Sequence, residues 1–165
     1  MARKAGNRAV HQPPEQIGPD IVDPRLRRLH AYWHDERGSR ALPSRTDIDP
    51  AALRFVLGYL VLVDVCRDPV RFRIRLQGTE LGWWIGADLT GKTLESLRAP
   101  ELRSLAAELL MRAVESGAPL HKVGEEMIGD LPRRYEALLL PLASDGINVN
   151  MVLAAVLCRD DRQPP

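Results

Sequence analysis

The stretch from Arg133 to Leu157, RRYEALLLPLASDGINVNMVLAAVL, constrains the fold of this chain more than any other. Two runs of β-forming residues flank Ala143-Ser144-Asp145-Gly146, a hairpin connection with Asp-Gly at its tip. The stretch holds no nucleophile, base or metal set. It reads as scaffold, a sheet able to hold a small ligand or a partner.

The rest of the chain supplies the remaining strands and the helices that cover them. Residues 1–23, with Pro13-Pro14, Gly18 and scattered charges, show no apolar period and read as a disordered or loosely attached tail. Asp23-Pro24 is a helix start, with Asp as N-cap and Pro at the first helical position. Leu26, Leu29, Tyr32 and Trp33 then fall on one face, and Gly38 ends the helix. A helical turn is expected over Ala51 to Val56. Tyr59 to Val65 is apolar at nearly every position, as suits a strand covered on both faces. After a turn at Arg67-Asp68-Pro69, Val70 to Gln77 alternates strictly. Val70, Phe72, Ile74 and Leu76 are expected inward; Arg71, Arg73, Arg75 and Gln77 are expected outward. Thr79 is a candidate cap for a short helix through Trp83-Trp84. Glu101 to Ser116 carries one apolar stripe, Leu102, Leu105, Ala106, Leu109, Leu110 and Ala113, and Gly117 is its stop. Pro119 to Ile128 is a further strand.

Composition bounds the function classes. A chain of 165 residues, 45% hydrophobic and 27% charged, is long enough to bury a real core. The net charge of +1 gives no overall pull toward nucleic acid or membrane, and no apolar run reaches the length that spans a bilayer. Cys66 and Cys158 form no close-spaced motif, which fits a reducing cytoplasm better than a disulfide framework. One local feature stands against the neutral background. Between residues 25 and 45, six arginines (Arg25, Arg27, Arg28, Arg37, Arg40 and Arg45) face two acids, Asp35 and Glu36. Such a face either keeps a helix solvated or meets phosphates, and the second choice predicts binding that weakens steeply with salt.

The element order is helix, two strands, short helices, one long helix, three strands. It makes an α+β domain, a five-stranded antiparallel sheet with helices on one face and an added N-terminal helix. Tyr32-Trp33 with Arg37-Gly38, Pro43-Ser44-Arg45 and Asp47-Ile48-Asp49-Pro50 open a recognisable series of motifs. Arg75-Leu76-Gln77-Gly78-Thr79, Gly86, Leu89-Thr90-Gly91-Lys92, Leu140-Pro141-Leu142 and Asp145-Gly146 complete it. In that order and spacing the chain resembles a PAS domain, of a bacterial subfamily in which PAS is nearly the whole protein. The resemblance runs over roughly Leu26 to Leu157, within a single domain expected at 24–158 and followed by a short tail, 159–165.

The resemblance implies a non-enzymatic sensory or signalling module that acts through protein partners, dimerises, and holds a small ligand between the sheet and its short helices. Trp83 and Trp84 stand where such a domain places its ligand-facing helix, and Arg75 with Thr79 would offer a cation and a hydroxyl to an anion. His121 is the one candidate axial ligand, but haem is not expected from a lone histidine. Covalent flavin attachment is not expected either, since Cys66 lies in a turn and the Asn-Cys-Arg motif of light-sensing relatives is missing. Leu26, Leu29, Tyr32 and Trp33 would cover the outer sheet face or form a homodimer contact. Catalysis is not expected: no serine sits in G-x-S-x-G, and Glu125-Glu126 point to opposite faces of a strand. His30 and His34 have chelating spacing without a third ligand. The alternative to a signalling module is a nucleic-acid-associated regulator using the basic segment 25–45.

Overall fold

The computed structural model describes residues 20–159, apart from Gly129 and the side chain of Ile128. Three α-helices, α1 (Pro24–Arg37), α2 (Thr79–Ile85) and α3 (Pro100–Ser116), accompany five strands. The strands are β1 (Leu60–Cys66), β2 (Arg71–Gln77), β3 (Leu120–Ile128), β4 (Leu131–Leu142) and β5 (Met151–Cys158). All pairings are antiparallel, in the order β2-β1-β5-β4-β3. This is the expected α+β architecture, with one refinement: β2 and β3 do not pair. The α2–α3 crossover carries the chain from one sheet edge to the other, and β5 closes the middle against β1.

Local chemistry explains the helices. Asp23 caps α1, its carboxylate accepting from the Arg25 amide at 2.8 Å, and Pro24 occupies the first turn. The first residue of α2 is Thr79 itself; its N-cap is Gly78, so the expected threonine cap is displaced by one residue. Gly78 is required there by packing, because a Cβ would sit 2.2 Å from the Gly58 carbonyl oxygen. The segment Ala51–Val56 forms turns, followed by a short 3-10 helix at Leu57–Tyr59. In α3, Leu102, Leu109, Leu110 and Ala113 are buried, with Leu105 and Ala106 partly so.

The two faces of the sheet are distinct. Tyr135, Ala137 and Leu139 of β4 turn toward α2 and α3. Glu136, Leu138 and Leu140 turn the other way, toward α1, and all six are buried. Trp33 of α1 donates its indole N–H to the Pro141 carbonyl at 3.0 Å. Order begins earlier than the sequence suggests. Ile21 is buried, and the Val22 amide donates to Glu136 Oε1 at 2.7 Å, so residues 21–23 are docked; the rest of the expected tail, 1–19, lies outside the described residues. Arg159, expected in the C-terminal tail, pairs with Glu136, and 160–165 lie outside the described residues.

One irregularity decides what faces inward on β2. Leu76 pairs with Leu62 and Ile74 with Val63, so Arg75 is an extra residue, a bulge. The bulge reverses the alternation expected for Val70–Gln77. Phe72 and Ile74 are buried as anticipated, but Leu76 is 48% exposed and Gln77 turns inward opposite Val61. Val70 lies in the turn before β2 and is exposed as well. The Asp-Gly hairpin is also longer than expected. An eight-residue connection, 143–150, joins β4 to β5, ordered by Asp145, whose carboxylate accepts from the Ile147 and Asn148 amides at 2.9 and 2.7 Å.

Candidate functional site: an apolar cavity between sheet and helices

Between the inner face of the sheet and α2–α3 lies a cavity of about 120 Å³. Val61, Val63, Ile74, Ala137, Leu139, Ala154 and Val156 form its floor; Leu81, Trp84, Ile85, Leu105, Ala106 and Leu109 form its roof. β-branched and small residues on the strands leave the space that the larger helix side chains do not fill.

Three residues of this lining carry polar groups, which differ in how they are used, while the surface that they turn to the cavity is apolar. Gln77 is spent: its amide donates to the Ala87 carbonyl at 2.7 Å, and its oxygen accepts from the Leu89 amide at 3.1 Å. It thereby straps the loop after α2 onto the sheet. Trp84 and Tyr135 are not spent. The indole Nε1 and the phenol oxygen are shut from solvent and have no hydrogen-bond partner among the described residues, while their rings meet edge to face with centroids 6.4 Å apart. Burial, with the nearby carboxylates of Glu126 and Glu108, pushes the Tyr135 phenol up to about 12. Room for its hydroxyl comes from the facing strand, where a Cβ on Gly124 would lie 2.6 Å from the Tyr135 oxygen.

The residues singled out from the sequence are scattered by the fold. Trp84 lines the cavity. Trp83, on the opposite side of α2, is 82% exposed and borders a shallow surface depression with Thr79. Arg75 departs from the expected anion site: it lies on the outer face, its Nε donating to Asp64 Oδ1 at 2.8 Å, with Arg73 on the other carboxylate oxygen at 3.3 Å. Asp64 is nearly buried among apolar neighbours, and the two cations compensate its charge. His121 is likewise remote from the cavity. Its Nε2 lies 2.9 Å from Glu136 Oε1, and since a carboxylate only accepts, the imidazole donates.

Glu136 was missed by the sequence reading. It is fully buried on the α1 side and gathers the Val22 and Asp23 amides, His121 and Arg159 around one carboxylate. Burial acts to raise its pKa, but the hydrogen bonds from His121, Val22 and Arg159 outweigh it and hold the carboxyl below the usual range. A charged residue inside the apolar run 135–142 was the available signal. Tyr135, at the start of the same run, was the signal for the cavity.

Leu26, Leu29 and Trp33 are buried against the outer face; Tyr32 is half-buried, its hydroxyl accepting from the Asp49 amide at 2.8 Å. The six arginines of the basic segment are each engaged within the fold. Arg25 pairs with Asp23 and Arg40 with Asp47; Arg28 and Arg37 lie over the Phe55 and Trp33 rings; Arg27 and Arg45 donate to the Ile21 and Ile48 carbonyls. They hold α1 and the following loop in place. No helix among the described residues is long and apolar enough to cross a membrane.

Comparison with known proteins agrees with this geometry. The PAS domain family model matches residues 22–156. Among solved structures, a light-oxygen-voltage domain studied with a flavin analogue is similar at TM-score 0.50 and 19% identity, over 67% of this chain and 84% of that one. A Rhodobacter sphaeroides LOV protein is similar at TM-score 0.49 and 15% identity, over 83% of this chain and 68% of that one. A sensory box sensor histidine kinase from Vibrio cholerae follows at TM-score 0.48 and 17% identity, over 68% and 90%. No curated protein matches the sequence. With the family model spanning β1 to β5 together with α1, this chain belongs to the PAS domain family.

Proposed function

We propose that the protein is a sensory module without chemistry of its own, which takes a small apolar molecule into its cavity and passes that occupancy to a protein partner in a bacterial cytoplasm. The observation that carries this reading is the cavity itself, placed between sheet and helices and walled by apolar chains. Signal transfer is supported by the alternation of β4. Tyr135, Ala137 and Leu139 meet the cavity, while Glu136, Leu138 and Leu140 meet the α1 side, so a shift of one strand is felt on both faces. A ligand moves that equilibrium only as far as it favours one arrangement.

A flavin is not the molecule we propose. A cavity of about 150 Å³ accepts one benzene, and 120 Å³ does not admit a three-ring system. Cys66 and Cys158 are also absent from its walls. As partner we propose a second copy of the chain. Exposed apolar residues suited to such a contact are Trp83 on α2, and Val123 and Met127 on the edge strand β3. Cys66 and Cys158 are half-buried and not joined in a disulfide, which supports a reducing compartment.

Native mass spectrometry of the purified protein tests both halves at once. A dimer that retains small apolar molecules is the expected result. A monomer of bare mass that takes up no apolar probe would sink the proposal.

A further inference from the structure

Resting on the reading of a second copy as the partner, we infer that two chains join antiparallel along β3, edge to edge about a two-fold axis at Gly124, so that their sheets become one. Each sheet has two edges, β2 and β3. Beside β2, the loop after α2 takes the place of a further strand. The Ile74 amide donates to the Lys92 carbonyl at 2.8 Å, and the Gly91 amide donates to the Ile74 carbonyl at 2.7 Å. Among the described residues nothing comparable lies beside β3. Over Leu120–Ile128 its ladder is with β4, and no backbone hydrogen bond from another described segment reaches its other side. An edge of that length, with outward-pointing N–H and C=O groups, is a template for an added strand.

The charges of β3 identify the added strand as β3 of another copy. Lys122 and Glu126 stand two residues either side of Gly124. All three are on the cavity side of the sheet, opposite Ala137, Arg133 and Tyr135 respectively. In an antiparallel pair about Gly124, Lys122 of each copy faces Glu126 of the partner subunit, so the contact holds two pairs of opposite charge. Position 124 faces itself, which a glycine tolerates and a charged residue does not. On the α1 side, Glu125 faces Val123 of the partner subunit, its charge already answered by Arg134 at 2.8 Å in its own chain. The exposed Met127 then comes diagonally beside Val123 of the partner subunit. Other registers are worse. A shift by two residues sets Glu125 against its own copy in one direction, and in the other sets Lys122 against glycine and Glu126 against leucine. A shift by one exchanges the faces. The contact is also one strand from each cavity, because β4, whose Tyr135, Ala137 and Leu139 line it, is the neighbour of β3.

Hydrogen exchange and charge reversal test the contact in the full chain. Diluting the wild type from dimer to monomer should speed exchange of the β3 amides roughly tenfold and leave β2 unchanged. In sedimentation at low salt, Lys122→Glu and Glu126→Lys should each weaken dimerisation about tenfold, since both charge pairs become repulsive. A one-to-one mixture of the two variants should regain the wild-type affinity, because the mixed dimer restores opposite charges at both places. Glu126→Lys also sets a like charge opposite Arg133 of its own chain, so melting temperatures establish that both variants are folded. The exchange measurement on the wild type stands without them. A wild-type dimer whose β3 exchange is independent of concentration overturns the contact while the second copy remains the partner. Folded variants whose mixture associates no better than either alone do the same. A wild type that stays monomeric overturns both.

Discussion

Trp33 and Pro141 are joined across 108 residues of sequence by one hydrogen bond, the indole N–H donating to the carbonyl at 3.0 Å beneath a fully covered ring. The bond fixes α1 to β4 at a strand position where proline interrupts the ladder as a donor but leaves its carbonyl available. Trp33→Ala should cost about 3–5 kcal/mol as a buried aromatic truncation. Trp33→Phe, which retains much of the apolar bulk, should cost about 1–3 kcal/mol, since it leaves the carbonyl unpaired. Thermal or urea unfolding of the two variants separates packing from the bond. A near-zero change for Trp33→Ala would mean that α1 is detached in solution.

Glu136 should be the most sensitive polar position. Glu136→Ala removes the acceptor for the Val22 and Asp23 amides and for Arg159, and should destabilise by about 3 kcal/mol. Arg159→Ala should cost no more than about 1 kcal/mol, because its side chain is partly solvated and water can replace it. Limited proteolysis at residues 20–24, compared across the two variants, reports whether the helix entry has come loose. Equal losses in both would show that the ion pair, not the backbone amides, is the principal partner.

Stability should decline on the acid side in two stages. Burial, with His34 and His121 nearby, lowers the His30 pKa below its usual 6.5, so the native state resists a proton that the unfolded chain accepts. Stability is therefore full above about 6.5 and begins to fall below it. Glu136 and Asp145 are both depressed. Asp145 is held at about 2 by the Asn148 side chain and by the Ile147 and Asn148 amides, and their contribution disappears as pH drops below the ordinary carboxylate range. Melting temperatures between pH 8 and 3 should show both stages. His30→Gln should flatten the first and leave the second.

Gly78→Ala should cost about 3 kcal/mol although its φ of −69° suits any residue. The penalty is steric: the new methyl meets the Gly58 carbonyl at 2.2 Å and forces the start of α2 away from the 3-10 helix at Leu57–Tyr59. Loosening α2 should also weaken cavity ligands. A variant of wild-type stability would mean that the backbone shifts freely there.

Arg75→Ala should change stability by less than about 1 kcal/mol, because Arg73 still faces Asp64 and both arginines are half exposed. Ligand affinity in the cavity should be unaffected, since Arg75 is on the other face. A lost ligand would return Arg75 to the binding site.

The helices were legible because their signals are local. Asp23-Pro24 and Gly38 bracket α1, and the stripe from Leu102 to Ala113 identifies α3 and its buried side. The strands were legible as segments, but the direction of each side chain was not always so. Alternation placed Gln77 outside and Leu76 inside; a single extra residue at Arg75 inverts both, and bulges depend on the partner strand rather than on composition. The site residues were hidden for a similar reason. Trp84 stood out as a tryptophan, whereas Tyr135 acquires its meaning from Gly124 opposite and from α3 above, relations that exist only after the sheet has formed.

The carboxylate of Glu136 has a geometric consequence for both ends of the domain. Val22 and Arg159, near opposite ends of the described chain, meet on its two oxygens. The two ends are therefore clamped side by side on β4, so loosening either one should loosen the other.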